Sequence, residues 1–472
     1  MGLIYQFICT GIICTMGMNM GYIFVWPATT ISMFASENTT LSRPMTETEI
    51  SLFGSLSCLG ALFSTISAGF VLDKLGRKKC CLIISLTLVL YWAILIASRQ
   101  VEMVLAAIFM SGISSAIFLV ASVYISEICQ ESIRGSMTSA NMIAYGIGAL
   151  LIYVLDGYLS YDMMLYIGLT MSVIGTLLLF ILKDSPMYLM QIGQEKEAAQ
   201  AVAFYKNVKI DDKEVFEEMN SLRCALNSEL DDSTPEYEKL NKVVNSELQT
   251  EKLSFWKFMK KSKSTRRAFM MNLVVAAASI FQGFIVVQMY IENLFTEAMP
   301  EVSFTVCSVI MAAVGVVASV VGALLTDMSG RRPLMIYGSA AAGISCVVLG
   351  SQFQCHWGPN WLTAAFIYVF ALSYTLGAGT VPYVLLAELY LPEVKSIASM
   401  LVVEWAWVCN FGILFIFNPL LKTLGWGMVF YIFAIISFLT AVYCVFFLPE
   451  TKGLNVNEIQ PLFAKNKSRN DC

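Results

Sequence analysis

Six long apolar runs, then 84 residues crowded with charge, then six more apolar runs: this order leaves the chain few folds to choose from. The runs fall at about 4–27, 52–72, 80–98, 103–126, 136–158, 163–183, 268–291, 304–326, 333–352, 361–388, 397–421 and 425–447. They are numbered as spans 1 to 12 below. Each is near the roughly 20 residues that a helix needs to cross a bilayer. Residues 184–267 hold 29 of the 64 charged residues. Buried helices of a large soluble protein would carry charged outer faces, and these runs lack them. Of the 472 residues 57% are hydrophobic and 14% charged, against about 45–50% and about 25% in ordinary soluble domains. A soluble enzyme, a disordered chain and a nucleic-acid binder are excluded. The net charge of −4 offers no basic field for phosphates. The expected fold class is an all-α membrane protein, with twelve transmembrane helices in two six-helix pseudo-repeat bundles. Residues 1–183 are the expected N-terminal bundle and 184–267 a cytoplasmic helical loop. Residues 268–448 are the C-terminal bundle and 449–472 a cytoplasmic tail.

Orientation follows from lysine and arginine. With the N-terminus inside, 27 of the 30 basic residues face the cytoplasm, and only Arg43, Arg99 and Lys422 face out. Without the long loop the count is still 12 against 3. The sequon Asn38-Thr39-Thr40 lies in the first outer loop, so Asn38 is a candidate glycosylation site. A second sequon, at Asn466, falls inside. Of 13 cysteines only Cys355 sits in an outer loop, and no structural disulfide is expected. Met1 leads into the first apolar run without a basic segment, so no cleaved signal peptide is expected. The single histidine, His356, is expected at the surface rather than as a ligand.

Three pairs of charged boxes recur in order at the inner ends of the spans. Asp73-Lys74-Leu75-Gly76-Arg77-Lys78 follows span 2, and Asp327-Met328-Ser329-Gly330-Arg331-Arg332 follows span 8. Glu127 and Arg134 end span 4, as Glu388 and Lys395 end span 10. Asp184 follows span 6, as Glu450 follows span 12. Carboxylates and basic groups at helix ends can form an ionic latch that exists when the inner ends are packed and breaks when they part. One exposed pair is worth only about 0–1 kcal/mol, but a network can bias a two-state equilibrium. The plainer reading is a set of anchors at the lipid headgroups. Repetition in both halves favours the gate.

At these residues the chain resembles the sugar-porter family of the major facilitator superfamily, and within it the insect facilitated trehalose-transporter-like branch. Phe24-Val25-Trp26-Pro27, Gly379-Thr380-Val381-Pro382-Tyr383, Glu388-Leu389-Tyr390-Leu391-Pro392, Trp407 with Asn410, and Pro449-Glu450-Thr451-Lys452-Gly453 carry the likeness. The resemblance implies the major facilitator fold, a sugar site midway across, and transport by alternating access. It also implies that Asp73, Arg77, Glu127, Arg134, Asp184, Asp327, Arg331, Glu388, Lys395 and Glu450 hold the inner side shut.

The pocket departs from that family more than the frame does. The sugar-binding glutamine of span 5 becomes Met142. In span 7 the alignment on Gly283 and Tyr290 gives Ser279-Ile280-Phe281-Gln282-Gly283-Phe284-Ile285, so two glutamines and an asparagine are missing. The asparagine of span 8 maps to Gly315, the acid of span 10 to Thr375, and its tryptophan to Tyr383. Gln282, Tyr290, Thr375, Trp407 and Asn410 remain as candidate substrate contacts. Gln288, Asn141 and Tyr374 are further candidates to complete the set around a different ligand, with an interhelical hydrogen bond the alternative role for Gln288 and Asn141. A buried hydroxyl left unpaired costs about 1–3 kcal/mol, so the usual hexose would bind weakly here. Glu404 lies inside span 11, where an unpaired carboxylate costs about 2.5–3.5 kcal/mol. It could carry a proton, bind substrate, or reach the inner interface near Lys395. The acid that proton-coupled porters carry in span 1 is replaced by Ile23, which favours uniport.

The expected function is facilitative uniport of a sugar such as a hexose or trehalose across the plasma membrane, by a monomer with both termini cytoplasmic. The expected partners are the small solute and the lipid bilayer, with no nucleic acid. There is no catalytic residue, no metal-ligand cluster and no cofactor motif, so no enzyme is expected. The rivals are a non-transporting nutrient sensor of the same fold and a proton-coupled carrier of a non-sugar organic solute.

Overall fold

A computed structural model describes residues 2–226, 262–390, 392–454 and 456–464, and every secondary-structure element among them is helical. Among the described residues ten helices are long and apolar enough to cross a membrane. One of these, Ile397–Phe447, holds spans 11 and 12 in one run, divided where Gly425 takes φ 73°. The shorter apolar helix Ala140–Asp156 supplies span 5. The end of the molecule that carries the basic residues is called inner below.

Span 1 runs Gly2–Ala35, eight residues past the end expected at Pro27. Proline usually ends a helix because it lacks an N–H and crowds the carbonyl four residues back. Here packing overrides it. Trp26 is fully buried and stands edge-on to Phe34, Phe53, Tyr91 and Trp92, which come from spans 1, 2 and 3. Burial on this scale outweighs one lost hydrogen bond. Span 2 (Glu47–Leu75) opens on a capping box between Thr46 and Glu49. It meets span 4 backbone to backbone. A Cβ on Gly60 would lie 2.1 Å from the Phe109 carbonyl oxygen, and one on Gly112 1.9 Å from that of Ser57. Such close approach is how helices pack where lipid removes the hydrophobic drive.

Spans 7 and 10, expected to be continuous, are broken. Span 7 consists of Lys263–Phe281, Phe284–Met289 and Ile291–Ala298, with Gly283 left-handed at φ 89°. Span 10 is Asn360–Leu376 followed by Val381–Glu388. The breaks fall at Gln282-Gly283 and at Gly377-Ala378-Gly379-Thr380, where glycine makes non-helical backbone cheap.

The first part of the long loop folds against the N-terminal half as helices Pro186–Gln191, Glu195–Lys206 and Lys213–Leu226. The hydroxyls of Tyr124 and Tyr205 both donate to the Lys183 carbonyl, and Phe204 meets Tyr5 edge-on at 5.3 Å. The polar stretch 227–235 and residues 257–261 of the basic run lie outside the described residues. The tail helix Val456–Ala464 buries Ile459 and Phe463 against the inner end of span 7, where Arg267 donates to the Phe463 carbonyl at 3.0 Å.

Candidate functional site

The charged boxes assemble into the same device twice. In the N-terminal half, span 2 ends at Gly76 (φ 85°) and span 3 begins at Arg77. The Arg77 guanidinium grips Glu127 with two hydrogen bonds of 2.8 and 2.7 Å. Asp184 does not pair with the arginine side chain. Its Oδ1 accepts from the backbone N–H groups of Arg77 and Lys78 at 3.0 and 3.2 Å, capping the first turn of span 3. A carboxylate there satisfies orphan donors and opposes the positive helix end. In the C-terminal half, Gly330 (φ 92°) precedes Arg331, whose Nε and Nη2 donate to Glu388 at 3.1 and 2.7 Å. Glu450 accepts from the N–H groups of Arg331 and Arg332 at 2.9 and 3.1 Å, capping span 9. The Thr451 hydroxyl closes the ring by donating to Glu388 at 2.6 Å.

Six of the ten expected gate residues thus form two matched clusters: Arg77, Glu127 and Asp184, and Arg331, Glu388 and Glu450. The side chains of Asp73, Arg134, Asp327 and Lys395 lie outside the described residues. Both ion pairs sit within one half, so each fixes the shape of its own inner rim. Arg77 is 6% exposed and Arg331 11%, so both ion pairs, each made by two hydrogen bonds, are partly desolvated rather than loose surface contacts.

The five expected substrate contacts are distributed over spans 7, 10 and 11. Gln282 sits at the span 7 break, fully buried, and donates to Ser339 of span 9 at 3.2 Å. Thr375 bonds the Ala371 carbonyl of its own helix at 2.8 Å. Its carbonyl accepts from Thr380 at 2.7 Å, bridging the span 10 break. Tyr290 is buried with its hydroxyl unpartnered, its ring 4.8 Å from Phe417. The hydroxyl lies 3.7 Å from where a Cβ on Gly54 of span 2 would stand. Trp407 is half-buried and Asn410 buried on span 11. A cavity of about 30 Å³ lies between spans 7, 10 and 11, lined by Ser279, Ile280, Tyr374, Tyr383, Val403 and Ala406. Tyr374 stacks on Phe284 at 4.7 Å across the two breaks. A glycine cluster inside an apolar run, Gly377-Ala378-Gly379 ahead of Pro382, was the available sign of this wall.

Contacts across the outer halves of the spans join the two bundles. Lys422 pairs with Glu47 at 2.6 Å, and Ser32 donates to Asn293 at 2.8 Å. Asn141 packs on Gly17 of span 1 with its amide unpartnered. The outer seam is closed. Beside it lies a cavity of about 540 Å³ lined by Ser32, Glu292, Asn293, Thr296, Glu297 and Trp426. Among the described residues no cluster of three metal-ligating side chains occurs. Glu404, in span 11, has both carboxylate oxygens sealed and unpartnered.

Asn38 is exposed on the turn between spans 1 and 2, clear of packed structure. Asn38→Gln is expected to abolish a glycan-dependent gel shift in a eukaryotic host, whereas replacing Asn466 leaves it unchanged. The reverse result would invert the orientation.

Residues 6–463 match the protein family described as Sugar (and other) transporter. The facilitated trehalose transporter Tret1 of Drosophila mojavensis is 23% identical over 465 residues, 96% of this chain. The chain spans about half that relative's length, 51%. The sugar transporter ERD6 of Arabidopsis thaliana is 26% identical over 466 residues, covering 96% of this chain and 85% of that one. The xylose transporter XylE of E. coli, in an inward open conformation, matches with a TM-score of 0.77 at 18% identity. That match covers 97% of this chain and 99% of XylE.

Proposed function

From the premise that this chain belongs to the Sugar (and other) transporter family, the sugar porters of the major facilitator superfamily, we propose that it carries a hexose or trehalose by alternating access. It is a multi-pass membrane protein with the major facilitator fold, and it is a transporter rather than an enzyme. The proposed setting is the plasma membrane, with both termini cytoplasmic and the monomer as the working unit. One observation carries the mechanism: the inner rim is built as two matched, stiffened clusters, while the outer seam is held by separable cross-half contacts. Two rigid halves with different contacts at their two ends are what rocking about a central site requires. Ile23 in place of an acid supports uniport. In this scheme Tyr290, Trp407 and Asn410 meet the solute on the seam. Gln282 and Thr375 hold the broken helices of spans 7 and 10 that shape its wall.

The test is uptake of radiolabelled glucose, fructose, trehalose and polyols into proteoliposomes. Saturable uptake that equilibrates without accumulating is expected for at least one of them. The small, largely apolar cavity favours one rival, a sensor of the same fold. Ligand binding without flux across the whole panel would establish that rival and end the transport reading. The sealed Glu404 favours the other rival, proton-coupled carriage of a non-sugar solute. Uphill accumulation driven by a pH gradient would mark it.

A further inference from the structure

The hydrogen-bonding groups that the mid-membrane cavity lacks are gathered at the outer face of the seam. The cavity between spans 7, 10 and 11 holds about 30 Å³. Sites for small molecules usually hold about 300–1,000 Å³. The outer cavity, at about 540 Å³, is of that size, and most of its lining side chains carry a polar group. The last piece of span 7, Ile291–Ala298, builds this wall. Its apolar residues Ile291, Leu294, Phe295 and Ala298 are buried. The opposite face presents Asn293, Thr296 and Glu297, three and four residues apart and all exposed. Ser32, in the last turn of span 1, closes the N-terminal side of the cavity, and Leu421 and Trp426 close the other. The left-handed Gly425 (φ 73°) makes the turn that brings Trp426 there, and Phe353 and Phe430 stack on its ring.

The free bonding capacity of this wall is mixed. Asn293 Oδ1 accepts from Ser32 at 2.8 Å, which leaves the amide N–H groups to donate. The Thr296 hydroxyl donates to the Glu292 carbonyl at 2.8 Å and keeps lone pairs to accept. The exposed Glu297 carboxylate is an acceptor only. A hydroxyl both donates and accepts, so neighbouring hydroxyls of one sugar or polyol can satisfy all three. A cation would meet the Asn293 N–H groups, and an anion would meet Glu292 and Glu297. Leu421 and Trp426 add an apolar strip for the C–H face of such a solute.

We propose that the outer cavity is an external binding site for a neutral polyhydroxyl solute, and that its occupant holds the outer seam shut. The walls come from both halves, and the Ser32–Asn293 hydrogen bond that joins them is itself a contact of the closed seam. Outer opening draws Ser32 away and removes the N-terminal wall. A ligand that binds only the closed form shifts the population toward it. External solute therefore slows the return to the outward-facing state, from a site separate from the one that carries it. This consequence for gating rests on the alternating-access reading, whereas the binding itself does not.

The closing experiment reads conformation and needs no flux. Ser51 is 2% exposed. It lies between Glu47, which pairs with Lys422, and Gly54, which faces Tyr290, so it is on the seam face of span 2. Ser51→Cys, in a background where the exposed Cys355 is replaced by serine, reports outer opening to an impermeant maleimide on intact cells. External trehalose or mannitol, raised to saturation, should lower the labelling rate at least threefold against sodium chloride of equal osmolarity. Thr296→Trp, at an exposed position, fills the cavity and should abolish the effect. Glu297→Gln should raise the half-effective concentration at least threefold, because a charged acceptor makes a hydrogen bond roughly twice as strong as a neutral one. Labelling that ignores both solutes overturns the site. So does an equal fall in Thr296→Trp, because the solute then acts mid-membrane. A fall with choline and with neither polyhydroxyl solute overturns the assigned ligand class. Protection without flux of any solute tested would end the transport reading and leave the external site standing. Saturable uptake without protection would do the reverse.

Discussion

Arg331→Ala is expected to cut initial transport rates at least tenfold while leaving the protein folded and membrane-inserted. The guanidinium makes two hydrogen bonds to Glu388 and a third, from Nη1, to the Thr326 carbonyl at 2.8 Å, so it ties the ends of spans 8, 9 and 10 together. Truncation leaves Glu388, with only 22% of its side chain exposed, facing Thr451 alone. Breaking a fully buried pair costs about 3–5 kcal/mol, and partial solvent access at this rim reduces that to about 1–3 kcal/mol. Since 1.4 kcal/mol is about tenfold in an equilibrium constant, the smaller figure already redistributes conformations. On the proposed mechanism the inner rim closes only when both clusters are intact. The loss should shift the population inward-facing, spare solute binding, and lower impermeant-maleimide labelling of Ser51→Cys, a position buried at the outer end of span 2, in a background where the exposed Cys355 is replaced by serine. Arg77→Ala should do the same from the other half. Unchanged labelling in both variants would remove the rim clusters from the gating mechanism and leave them as local supports.

The charged boxes could be read in the sequence because charge is rare in a chain of this kind. Each carboxylate at a span end stands out, and its repetition in order identifies the two halves. Their partners were less legible. Arg77–Glu127 and Arg331–Glu388 pair side chain to side chain, whereas Asp184 and Glu450 turn to backbone N–H groups, which have no residue identity to align. Hydropathy found the spans but is blind to φ, so it ended span 1 at Pro27 and joined the pieces of spans 7 and 10. The same blindness affects Gln282. On a continuous helix its phase can be counted from Tyr290, but the left-handed Gly283 between them resets the phase and turns the amide toward Ser339.

Gly76→Ala and Gly330→Ala are expected to be the most damaging small substitutions at the rim, and comparison with other glycines separates their two costs. At φ 85° and 92°, with ψ near 169° and 165°, both occupy backbone that essentially only glycine adopts, worth about 1–3 kcal/mol of strain to any other residue. A Cβ on Gly76 would also stand 2.6 Å from Asp184 Oδ2 and 2.5 Å from the Tyr188 ring, and one on Gly330 2.6 Å from Glu450 Oε2. Either methyl pushes the capping carboxylate off the N–H groups it serves. Gly193 and Gly453 share a positive φ, 78° and 72°, but nothing lies within 4 Å of their Cβ positions. Alanine there tests backbone strain alone. Thermal unfolding of the detergent-solubilised protein should rank the losses Gly76 first, Gly330 second, and Gly193 and Gly453 last. Surface expression should fall several-fold only for the first two. Gly76 should exceed Gly330 because a packed aromatic ring yields less readily than a carboxylate at the end of a flexible side chain. Equal losses at all four positions would mean that strain alone governs them, and the carboxylate cradles would then contribute nothing measurable to holding the rims together.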